Sequence, residues 1–189
     1  MERKPKLYMV ILGATPKGRL TEQHDVFFGI GNSLAGLVPQ MKAFWPEANG
    51  KIHIDSWREV TFVDGYRIDI VPYQNPSDAL NLYFINLGGY KPGELDEYHY
   101  KILAVAETMA AAVKQSKTTS FYKHYGFKGA ESHIDDKFGI DVDDIYQVNE
   151  IMNPTQQYSL HITKSDATAE DTLHIGYLKI EKLEKGTSI

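Results

Sequence analysis

The chain has 189 residues, 42% hydrophobic, 12% aromatic and 24% charged, a globular composition rather than a disordered or fibrous one. Twenty Lys and Arg against 25 Asp and Glu leave a net charge of −5, which disfavours a surface devoted to neutralising nucleic-acid phosphates. Cys is absent, which excludes disulfides, thiolate zinc sites, iron–sulfur clusters and thiol nucleophiles.

No apolar run approaches the ~20 residues of a membrane-crossing helix. The basic start, Met1 to Lys6, followed by apolar Leu7 to Leu12, imitates a signal peptide. Charge returns at Lys17 and Arg19 with no small-residue cleavage pattern between, so the stretch reads as a buried strand and the cytoplasm as the expected compartment.

In chain order, the first element is that strand, Leu7 to Leu12, apolar throughout as a strand covered on both faces should be. A loop holding Lys17, Gly18 and Arg19 follows. Thr21 is placed as a helix N-cap, with Leu20 as its staple residue. Steps of three and four from Phe27 through Ile30, Leu34, Leu37, Val38 and Met41 predict a helix. Gly29, Gly31 and Gly36 would each cost that helix about 1 kcal/mol relative to Ala, so a close backbone approach is expected to compensate. His53 opens the next strand. Asp64-Gly65, between Trp57–Val63 and Tyr66–Val71, predicts a tight hairpin.

The same order then begins again. Leu7-Tyr-Met-Val-Ile-Leu-Gly13 lies 75 residues before Leu82-Tyr-Phe-Ile-Asn-Leu-Gly88, and the identities continue at Gly18/Gly93, Leu20/Leu95, Glu22/Glu97 and His24/His99. His53-Ile-Asp55 answers His133-Ile-Asp135, with Asp64/Asp144 and Tyr66/Tyr146 closing the unit. A tandem duplication is the expectation: an α+β protein of two βαββ repeats, 6–72 and 81–149, with a mixed sheet. Two further strands, Tyr158–Ile162 and Leu173–Ile180, fall in a C-terminal segment, 150–183, expected to pack on the second repeat.

These stretches, with Gly18-Arg-Leu-Thr-Glu-Gln-His-Asp-Val-Phe-Phe28, His53-Ile-Asp-Ser-Trp57 and Val63-Asp-Gly-Tyr66, resemble the bacterial domain-of-unknown-function family 1543. The resemblance implies one or two copies of a domain and no assigned activity. The second copy departs at Glu94 for Arg19, Lys137 for Trp57 and Ile145 for Gly65, which implies partial loss there of any site the first copy holds.

Three residue sets carry candidate chemistry. Lys17, Gly18 and Arg19 at an expected strand-to-helix corner would suit a small anionic ligand, although the P-loop pattern is absent. Glu22 and His24, with Glu97 and His99, would sit in the first turn of each predicted helix, where the dipole favours a carboxylate and a neutral imidazole. The alternative role for that imidazole is one structural hydrogen bond. His53 with Asp55, and His133 with Asp135, are two apart and share one face of a strand. Two imidazoles and one or two carboxylates suffice for an open divalent-metal site. A right-handed crossover would put the helix start and the start of the His53 strand at opposite ends, so the closest pairing is expected across the copies, His24 with Asp135 and His99 with Asp55.

No nucleophile elbow, His-Glu-x-x-His or calcium loop occurs. The primary expectation is therefore a non-catalytic binding or structural module, holding a small anion at the first loop, with no nucleic-acid or membrane partner and with self-association left open. The alternative is a small hydrolase or metal-dependent enzyme using Glu22, His24, His53 and Asp55. No particular cofactor is implied.

Overall fold

The computed structural model describes residues 4–73, 79–120, 124, 144–152, 157–166 and 170–185. The chain divides into two units: Met1–Gln74 with Thr155–Ile189, and Asn75–Pro154.

The first unit runs β1 (Lys6–Ala14), β2 (Gln23–Gly31), α1 (Val38–Phe44), β3 (His53–Val60), β4 (Phe62–Val63) and β5 (Tyr66–Pro72). The second holds β6 (Asn81–Tyr90), β7 (Glu97–Ala106), α2 (Met109–Ser116) and β8 (Asp144–Gln147). The chain then returns to the first unit with β9 (Tyr158–Lys164) and β10 (His174–Lys179). Among the described residues no helix is long and apolar enough to cross a membrane.

The helix predicted to begin at Thr21, and its counterpart in the second repeat with Glu97 and His99 in the first turn, are strands. β2 folds back antiparallel on β1 from Lys6↔Gly31 to Ala14↔Gln23, and β7 does the same on β6. The helical spacing misled because Val26 to Ile30 is buried without interruption, so every residue of the run satisfied one apolar template or another. Local chemistry favours the strand. Val26, Phe27, Phe28 and Ile30 are β-branched or aromatic, and Gly29 and Gly31 disfavour a helix. The two glycines do admit a close neighbour: a Cβ at Gly29 would stand 3.2 Å from Leu37 Cδ2, and one at Gly31 3.0 Å. What approaches is the turn leading into α1, packed on the strand. After each hairpin, α-helix begins at Val38 and at Met109, the latter capped by Thr108, whose hydroxyl accepts from the Ala111 N–H.

β3 lies on the other edge of β1, and β10 extends the sheet to the order β10-β3-β1-β2. β5 pairs with β4 and β9 in a second sheet, and β7-β6-β8 form the sheet of the second unit. Among the described residues every strand pairing is antiparallel, which replaces the expected mixed sheet: a hairpin return makes an antiparallel pair where a crossover would make a parallel one. The expected order βαββ likewise becomes hairpin, helix, strand. The C-terminal strands belong to the first unit, β9 on β5 and β10 on β3, and not to the second repeat. The Asp64-Gly65 turn forms as predicted, both residues at positive φ with Val63 opposite Tyr66. Its equation with Asp144 does not hold, because Asp144–Gln147 pairs with β6, Tyr83 facing Gln147, as Tyr8 of β1 faces Glu59 of β3.

The core of the first unit gathers Val10, Leu12, Phe27 and Ile54 from the sheet with Leu37 and Met41 from the α1 region. Ile180 and Leu183, in the short helix Ile180–Glu184, complete it. Tyr83, Ile85, Leu87, Ala104 and Ala112 form the core of the second unit; burial pushes the Tyr83 hydroxyl pKa upward.

Candidate functional site

At the end of β1, Gly13 is paired with His24 of β2 on one side and His53 of β3 on the other. Strand alternation turns all three away from the face of Leu12 and Ile54, which carries α1. Two residues before His24, just ahead of β2, stands Glu22, and two after His53 stands Asp55.

Asp55 arrives there through an irregularity. Between β1 and β3 the register steps from Ile11↔Ser56 to Leu12↔Ile54, which leaves Asp55 as the extra residue of a bulge. β10 bulges at the same level: Ile175 faces Ser56 and Leu178 faces Ile54, with Gly176 at φ +135 between. Bulges re-aim side chains, and this one sets the Tyr177 ring against His53, centroids 4.4 Å apart. Trp57 stacked on His174 at 3.8 Å fixes the neighbouring stretch of β10.

Four side chains converge. His53 Nε2 is 3.1 Å from Glu22 Oε1 and 3.3 Å from Asp55 Oδ1; His24 Nε2 is 3.1 Å from Asp55 Oδ2 and 3.6 Å from Glu22 Oε2. Each carboxylate thus spans both imidazoles. His53 is 8% exposed, while Glu22 and His24 are nearly half exposed, so the cluster has a closed floor and an open side. Neither His53 Nε2 nor Asp55 Oδ2, both buried, makes a hydrogen bond. A single N–H can satisfy one oxygen at a time, and here it is aligned with neither. Among the described residues no group of three or more His, Asp or Glu side chains is placed, as it stands, to hold a metal ion.

Gly13 makes the convergence possible. A Cβ there would lie 2.3 Å from His53 Nε2 and 2.8 Å from Asp55 Oδ2. Sequence reading placed Gly13 only as the end of a strand and missed Tyr177 altogether; the Gly between two His-bearing strands becomes a signal only once the register is known.

The remaining predicted residues fare differently. Lys17, Gly18 and Arg19 are exposed in the β1–β2 connection, where the Arg19 N–H donates to the Pro16 carbonyl at 3.1 Å. No helix starts there, so the helix-dipole ground for an anion site falls away. Glu97 and His99 lie at the start of β7, His99 opposite Gly88, in a strand and not a helical first turn. His133 and Asp135 lie outside the described residues. The acid expected to meet His24 was Asp135; in the structure it is Asp55 of the same unit.

Residues 19–70, which include all four clustered side chains, match the family described as Domain of Unknown Function (DUF1543). No curated protein matches the chain. Among solved structures the chain is similar to the crystal structure of a protein Il1583 from Idiomarina loihiensis, at 23% identity over 93% of this chain and 97% of that one, with a TM-score of 0.56. At that identity the likeness speaks for the fold alone.

Proposed function

We propose that the first unit is a divalent-cation-binding module whose ligands are Glu22, His24, His53 and Asp55. One observation carries this reading: a buried imidazole nitrogen faces two carboxylate oxygens at 3.1 and 3.3 Å without a hydrogen bond to either. An imidazole N–H would serve one of these oxygens at a time, whereas a bound divalent cation would take lone pairs from imidazoles and carboxylates together. Ligands ~2.0–2.1 Å from a tetrahedral zinc ion stand roughly 3.3 Å from each other; the two contacts of His53 Nε2 are of that length, and those of His24 Nε2 are made to the other oxygen of each carboxylate. The donor set, two nitrogens and two oxygens, suits zinc and the later first-row divalent metals better than calcium or magnesium.

Shared identities between residues 7–24 and 82–99, together with the recurrence of hairpin, helix and third strand, support descent of both units from one ancestral element. The cation site is proposed for the first unit, where the four side chains meet.

Elemental analysis of protein prepared without a polyhistidine tag and reconstituted with Zn²⁺ tests the assignment. The expected result is about one metal per chain in the wild type and none in a His53→Ala, Asp55→Asn double variant, consistent with the loss of two of four ligands. A wild type that takes up no Zn²⁺, Mn²⁺, Co²⁺ or Ni²⁺ overturns it.

A further inference from the structure

We infer that the protein self-associates through the outer strand of its first unit: β10 of one copy meets β10 of a second, antiparallel, across a two-fold axis at Gly176. The inference is independent of the cation reading.

The composition of the strand is the first ground. β10 is one edge of the sheet β10-β3-β1-β2, and sheet edges are ordinarily blunted by charge or proline. Residues 172–178 hold no Lys, Arg, Asp, Glu or Pro. Leu173, Ile175 and Tyr177, spaced two apart, are 61%, 82% and 63% exposed. The opposite edge differs, because β2 exposes Gln23, His24 and Asp25 and buries Val26 to Ile30. On the order of 400 Å² of apolar surface therefore lies open along β10, a size of patch that is often functional. The strand is preformed: its pairing with β3 and the stack of Trp57 on His174 hold it in place, so little ordering entropy opposes association.

Charge selects a second copy as the occupant. Glu170 stands before the apolar stretch and Lys179 and Lys182 after it, all exposed and none in an ion pair among the described residues. An antiparallel copy brings the acidic end of each strand beside the basic end of the other, so both junctions attract. A parallel copy would set like charges together.

The register follows. Centred on Gly176, it places Ile175 of each copy against Tyr177 of the other, an aromatic and β-branched pair of the kind favoured across strands. Gly176 is at φ +135, and a Cβ built on it would meet nothing within 4 Å, so the axis passes through open space. The bulge between Ile175 and Leu178 interrupts a regular ladder there. Side chains and end charges, rather than continuous backbone hydrogen bonds, hold the pair. The contact closes after two copies. Two such patches bury roughly 800 Å² of apolar surface, in the range of weak, transient association, so the dimer forms in a concentration-dependent manner.

Sedimentation velocity of the full chain, from micromolar to millimolar concentration, is the test. Wild type is expected to pass from monomer to dimer. Ile175→Lys is expected to weaken dimerisation about tenfold or more, since it buries an unpaired charge at the contact, with an unchanged melting temperature because the side chain is largely exposed. Glu170→Lys and Lys182→Glu should each weaken the dimer, and the two changes in one chain should restore it, because the exchanged charges again meet their opposites. A wild type that stays monomeric throughout overturns the inference, as does a dimer indifferent to Ile175→Lys. A charge-exchanged double variant no tighter than either single variant overturns the antiparallel arrangement.

Discussion

His24 and His53 stand opposite each other across Gly13, each paired in register with it from its own side of β1. The spacing of the two imidazoles is therefore set by the width of a three-stranded sheet, a rigid frame, and the cluster is buttressed by backbone hydrogen bonds on both sides. Strand-borne ligands of this kind are held more precisely than ligands on loops.

The Gly13→Ala variant probes that frame directly. Gly13 has no positive φ, so Ala fits the backbone, and replacing Gly in a strand ordinarily raises stability by about 0.5–1 kcal/mol. The added methyl must displace His53 Nε2 and Asp55 Oδ2, 2.3 and 2.8 Å from where it would lie. The expected outcome is a folded protein of wild-type melting temperature whose zinc affinity, measured by competition with a chromophoric chelator, falls at least tenfold. Full affinity in a folded Gly13→Ala protein would sink the assignment of the cluster.

Tyr177 tests the role of the paired bulges. Its ring packs on His53 and adds about 0.5–1.5 kcal/mol of restraint on the imidazole, in the range of aromatic contacts. Tyr177→Ala is expected to weaken zinc binding several-fold with the stoichiometry preserved, because the ring positions a ligand and donates no lone pair. Tyr177→Phe should behave as wild type. Equal loss in both variants would show that the hydroxyl, not the ring face, matters.

Much of this arrangement could be read from the letters alone, and the part that could not has a definite cause. β1, β6, β9 and β10 follow from apolar runs bounded by polar segments, and the Asp64-Gly65 turn from its two-residue chemistry. Glu22, His24, His53 and Asp55 stand out in the sequence by type and spacing. Their meeting was not legible, because it depends on whether Gln23–Gly31 is helix or strand. A run buried on every side offers no period to decide that. Read as a helix, it sends His24 away from His53; as a strand, it brings both to Gly13. The bulge at Asp55 was equally hidden, since an extra residue in one strand is visible only against its partner.

The corner that carries β3 into β4 depends on one carboxylate from the segment just before β10. Asp171 has a side chain only 1% exposed, and it accepts from the Thr61 N–H at 3.0 Å, the Thr61 hydroxyl at 2.6 Å and the Phe62 N–H at 3.2 Å. Arg58 Nη1 lies 3.9 Å away. Burial pushes the Arg58 pKa below its usual value, and the neighbouring Asp171 charge opposes that shift. Truncation to Ala would leave three donors and a partly buried guanidinium facing an empty space, a loss of about 3–5 kcal/mol by analogy with broken buried ion pairs. Asp171→Asn keeps one acceptor oxygen while it removes the charge and turns the other oxygen into an N–H₂ donor, so it should cost about half as much. Urea unfolding of both variants measures the difference, with an unchanged slope expected because the unfolded chain exposes the same surface. The same anchor fixes where β10 begins, and so where Tyr177 meets His53. Asp171→Ala should therefore loosen zinc binding as well as the fold, whereas a loss below about 1 kcal/mol would mean that the corner is held by its strands alone.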